Sequence, residues 1–115
     1  MLEDDILDQL SEKSVEKALQ WMTKNDEILA KSKSDYHHLD RFSKTLKAQL
    51  MAKQSSNMSV SAREQLALAD EDYITHLKGL REAEKQYLEL EYKMDQKKLI
   101  CQLWQTVSAN RRQSV

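Results

Sequence analysis

Gln54-Ser55-Ser56-Asn57-Met58-Ser59-Val60 is the one stretch of this 115-residue chain rich in small polar turn-formers. Long periodic segments lie on both sides of it. Gly occurs once and Pro never. Sheet proteins and turn-rich folds need both residues for hairpins and loops, so their near-absence points to long uninterrupted helices. Just after the break, Ser61-Ala62-Arg63-Glu64 has capping-box spacing. A serine there can accept the third helical N–H while the glutamate reaches back to the serine N–H. A helix is expected to start at Ser61, and the chain to turn back on itself near Asn57.

Downstream, a seven-residue repeat runs Leu66, Tyr73, Leu80, Tyr87, Met94, Cys101, with Ala69, His76, Ala83, Leu90, Lys97 and Trp104 three residues on. Apolar residues at this spacing over five heptads make a coiled-coil seam, interrupted at His76 and Lys97. Upstream, Val15, Met22, Leu29, Tyr36, Ser43 and Leu50 form one row, and Ala18, Asn25, Ser32, Leu39 and Leu46 its companion. Asn25 and Ser32 weaken the middle, and a kink is expected over 23–26. The chain therefore reads as a single all-α domain, an antiparallel hairpin of two long helices. Its expected parts are a short helix over 1–13, a helix over 14–53, a turn over 54–60, a helix over 61–109 and a tail over 110–115.

Charge agrees with folding back at Asn57. Net charge is −5 over residues 1–30, +4 over 31–54, −4 over 55–91 and +4 over 92–115. Folding at Asn57 lays basic 31–54 on acidic 60–83, and the acidic N-terminal block on the basic C-terminal one. Exposed pairs contribute only about 0.2–1 kcal/mol each, so they penalise wrong registers rather than hold the hairpin together. In that register Leu46 and Leu50 approach Leu66, Met22 approaches Met94, and His38 faces His76. Trp104 then falls opposite Leu10, so that Ile6, Leu7 and Leu10 cover Ile100, Leu103, Trp104 and Val107.

Two helices meeting along one seam bury each apolar side chain only in part. Ordering costs roughly 1.5 kcal/mol per residue, so a lone pair of helices sums to near zero. Further packing is expected from a partner protein, from the N-terminal segment, or from a second copy in a homodimer.

Composition bounds the function. The net charge of −1 makes no demand for nucleic acid or an anionic membrane. No stretch reaches the roughly 20 apolar residues of a membrane span, and the acidic start Met1-Leu2-Glu3-Asp4-Asp5 is the opposite of a signal peptide. The lone Cys101 excludes an internal disulfide and suits a reducing cytoplasm. At a seam position, away from any helix start, it reads as a small hydrophobe rather than a nucleophile. With only Gly79 there is no phosphate loop, and no Ser/His/Asp grouping stands out. Neither an enzyme nor a bound cofactor is expected.

Three clusters carry alternatives. In Asp35-Tyr36-His37-His38-Leu39-Asp40 the adjacent histidines point about 100° apart, which suits a solvated face better than a metal site. Across a fold at Asn57, His37 or His38 could meet His76 as a pH switch or metal cluster; the competing reading of His76 is a polar seam residue specifying register. Lys31, Lys33, Arg41, Lys44 and Lys47 interleave with Tyr36, His37, His38 and Phe42. That mixture suits a single-stranded nucleic-acid platform. The reading preferred over it puts Tyr36 in the seam and lets Glu64, Asp70, Glu71 and Asp72 answer the basic charges. The tail carries Arg111 and Arg112, which could steer an acidic partner.

Ser61-Ala62-Arg63-Glu64-Gln65-Leu66-Ala67, Tyr73-Ile74-Thr75-His76-Leu77-Lys78-Gly79-Leu80, and Trp104 followed by Asn110-Arg111-Arg112 together resemble small all-helical proteins of tailed bacteriophages and prophages. The resemblance covers the second half of the chain. It implies a non-enzymatic accessory or inhibitor acting on a host or phage protein complex in the host cytoplasm. The alternative it leaves open is a nucleic-acid-binding accessory in recombination or replication, working through the basic 31–47 face.

Overall fold

The computed structural model describes residues 10–113. Three helices follow one another, α1 over Glu12–Ala52, α2 over Val60–Ala69 and α3 over Glu71–Gln113, with no strand among the described residues. The two long helices, α1 and α3, pack antiparallel as a hairpin. Two compact units divide the chain, one made of residues 31–87 and the other of 10–30 with 88–113.

Helix α1 starts where two serines can satisfy each other. Ser11 N–H donates to Ser14 Oγ at 2.9 Å and Ser14 N–H donates to Ser11 Oγ at 3.2 Å, a reciprocal capping box. Ser11 thus opens the long helix. The expected short helix over 1–13, with Ile6 and Leu7 on its apolar face, falls mostly outside the described residues. Over 23–26, where a kink is expected, α1 is continuously helical. Thr23 Oγ1 donates to the Leu19 carbonyl at 2.9 Å and Asn25 Nδ2 to the Trp21 carbonyl at 2.8 Å, so both polar side chains bond back one turn and the helix runs on.

In the unit made of residues 31–87, the turn lies between Ala52 and Val60, as the polar stretch requires. Gln54 N–H donates to the Met51 carbonyl and Met58 N–H to the Ser55 carbonyl, each at 3.1 Å. The cap of α2 is Ser59 rather than Ser61: its backbone is extended and its Oγ accepts from Ala62 N–H at 3.1 Å. The expected continuous helix over 61–109 is also interrupted. Asp70 stands extended between α2 and α3, with φ −66° and ψ 140°. Its N–H bonds to the Ala67 carbonyl, its carbonyl accepts from Ile74 N–H, and its Oδ1 accepts from Asp72 N–H at 2.8 Å. One residue therefore ends one helix and caps the next.

That interruption resets the helical phase and moves the seam. Leu66, expected inside, is 44% exposed, while Ala67 is fully buried. Beyond the break the inner row holds: Tyr73, His76, Leu80, Ala83 and Tyr87 are all half-buried, as are Ser32, Tyr36, Leu39, Ser43 and Leu46 on α1, and Leu50 is buried. Tyr36 and Tyr87 stack with centroids 5.8 Å apart and planes 19° off parallel.

The other unit follows the same period. Val15, Met22, Asn25 and Leu29 of α1 are half-buried and Ala18 is buried. On α3, Leu90, Lys97, Cys101 and Trp104 are half-buried around the buried Met94. The helix runs on to Gln113 rather than stopping at 109, so Arg111 and Arg112 lie in its last turn, where positive charge opposes the helix dipole. Arg111 sits over the Trp104 ring at 5.9 Å, and Arg112 Nε donates to the Ser108 carbonyl at 3.4 Å.

Candidate functional site

The basic segment of α1 lies within the unit of residues 31–87. Lys31 pairs with Asp35 one turn on, at 2.8 Å, and the Asp35 carboxylate raises the Lys31 pKa through that hydrogen bond and its charge. Lys47 reaches Glu64 of α2 at 2.6 Å, with both side chains partly exposed. This is the cross-helix pair that the opposed charge blocks lead one to expect.

The remaining charges are not answered in that way. Lys33, Arg41 and Lys44 are exposed, and no ion pair or hydrogen bond joins them to a described residue. Asp70, expected to answer the basic face, spends its carboxylate on the α3 cap. Lys33, His37, Arg41 and Lys44 follow one another at spacings of four, four and three, which keeps them on one flank of the helix.

The aromatic members of the segment separate. Tyr36 belongs to the seam, stacked on Tyr87, and is closed to a stacking base. Hydrogen bonding to Glu84, then burial, then the charges of Glu84 and Asp40 hold its phenol above the ordinary tyrosine value. His37 leans on Tyr36 with centroids 5.2 Å apart but stays exposed, as does His38. Phe42 sets its ring edge-on to His76 at 5.6 Å.

The three histidines do not converge. His76 bonds through Nε2 to Ser43 Oγ at 2.8 Å, so its partner lies five residues beyond His38. The shift has a cause in the break at Asp70, which changes how many residues separate the turn from the start of the α3 row. Among the described residues, no group of three or more His, Cys, Asp or Glu could hold a metal ion. Cys101 is a free, half-buried thiol. No described helix is long and apolar enough to cross a membrane.

The feature that sequence reasoning missed is the amount of apolar surface left outside the seam. Leu19, Ile28, Tyr92 and Leu99 are each half or more exposed. All four lie off the heptad rows and so escape a search that looks only for the seam. No family model matches the chain, nor does any curated protein or solved structure.

Proposed function

We propose that this chain is a non-enzymatic helical interaction module that self-associates as a dimer and offers its helices to a further protein partner in the cytoplasm. Accessory or inhibitory action on a host or phage protein complex is the role its phage-like motifs imply. The observation that carries the proposal is the thinness of the core. Among the described residues the buried hydrophobics are Ala18, Leu50, Ala67 and Met94, two of them alanines, and no large side chain is fully enclosed. Apolar side chains left outside the seam, Leu19, Ile28, Tyr92 and Leu99 among them, are available for protein contacts.

Sedimentation equilibrium at micromolar concentration tests the self-association. The expected mass is twice the 13.5 kDa of one chain. A single 13.5 kDa species at every concentration would overturn it.

A second reading, nucleic-acid binding by the basic flank of α1, is favoured by one observation: Lys33, Arg41 and Lys44 have no carboxylate partner among the described residues. Against it stands Tyr36, whose ring is taken up by Tyr87. As a protein-binding module the chain should bind single- or double-stranded DNA more weakly than about 10 µM at physiological salt. Tight, steeply salt-dependent binding, lost on Lys33→Glu with Lys44→Glu while helix content stays intact, would establish the second reading instead.

A further inference from the structure

We infer that a second copy of this chain docks on the outer face of α3, through an antiparallel contact centred between Asp95 and Gln96. This rests on the self-association proposed above and names the surface that achieves it. Leu88, Tyr92, Leu99 and Leu103 lie within about 60° of one another around the helix, on the side away from Met94 and the seam. Tyr92 is 67% exposed and Leu99 53%, while Leu88 and Leu103 are half-buried.

The spacing of this stripe is the same read in either direction: four residues, seven, four. A two-fold contact between identical helices has that property, because if one residue meets another, the reverse contact must also form. Antiparallel pairing about the 95–96 midpoint sets Leu88 on the partner copy's Leu103 and Tyr92 on its Leu99. The apolar row spans about 22 Å of helix.

Charge along the same stretch is antisymmetric. Residues 88–95 carry three acids and one Lys, and 96–103 carry two Lys and no acid. Antiparallel pairing lays each half on its opposite. Along one flank it brings Glu91 beside the partner copy's Lys98, and by symmetry the contact forms twice. Parallel pairing in register would lay the acidic half on the acidic half and the basic half on the basic half, which like-charge repulsion disfavours. A different protein would have no need of a stripe that complements itself.

Engineered cysteines and charge changes in the full chain test this. In a Cys101→Ser background, Gln96→Cys sits beside the two-fold axis and should give a disulfide-linked dimer under mild oxidation. Glu89→Cys should not, because its counterpart lies about 20 Å away along the helix. Leu99→Glu should raise the dissociation constant at least tenfold with helix content unchanged, since the site is solvent-facing in one chain. Glu91→Lys and Lys98→Glu should each weaken the dimer, and the double variant should restore it. A wild-type dimer that ignores Leu99→Glu and does not cross-link through Gln96→Cys overturns this face but leaves self-association standing. A wild-type chain that is monomeric throughout overturns both.

Discussion

His76 is the polar member of the inner row of α3, and its contacts explain why a histidine is tolerated there. Its Nε2 meets Ser43 Oγ at 2.8 Å, while its ring borders Phe42 at 5.6 Å and Tyr73 at 6.4 Å. His76→Ala removes a hydrogen bond and two ring contacts. It should cost about 1–2 kcal/mol and lower the melting temperature by several degrees in a thermal melt. Gly79, three residues on, is exposed in mid-helix, and a Cβ built there meets nothing within 4 Å. Gly79→Ala should therefore stabilise the protein by about 0.8–1 kcal/mol, read as a shifted urea midpoint with an unchanged slope. Tyr36 gives a pH dependence. Its pKa is raised in the folded chain, so the neutral phenol is the form that the fold favours. The stability it contributes is fully present below the ordinary tyrosine value and is lost as pH rises through the higher folded one. Comparing urea midpoints of the wild type and Tyr36→Phe from pH 8 to 11 should show the wild type losing more over that range.

Helix boundaries depend on single capping side chains. Ser59→Ala leaves the first turn of α2 without its acceptor and should cost about 1 kcal/mol by urea denaturation, whereas Ser61→Ala should cost less than half of that. The two serines have similar spacing to a downstream run, and sequence alone does not say which one leaves the helix. The seam was legible wherever the helix is continuous. From Val15 to Leu50 and from Tyr73 to Trp104, every residue of the seven-residue rows is wholly or partly covered. It was not legible at Leu66, because Asp70 interrupts the phase and an acid followed by Glu71-Asp72 looks like one more solvated patch on a helix. The same interruption displaced the partner of His76 from His38 to Ser43. Of the basic face, the exposed flank Lys33, His37, Arg41 and Lys44 and the covered Tyr36 were both readable from the period. That Lys33, Arg41 and Lys44 would go unanswered was not, since block charge says which segments oppose each other but not which side chains reach.

For the whole molecule, periodicity identified one seam and the packing shows how little that seam encloses. Leu50 and Met94 are the largest buried hydrophobics among the described residues, while Tyr92 and Leu99 face outward. Self-association links stability to concentration, because a contact formed only between folded chains adds to their stability by mass action. Thermal melts followed by circular dichroism over a hundredfold range of chain concentration, roughly 1 to 100 µM and so spanning typical dimer affinities, test this most directly. A self-associating hairpin predicts a cooperative transition whose midpoint climbs steadily with concentration, and a smaller climb for Leu99→Glu. A cooperative wild-type transition with the same midpoint at every concentration would contradict it.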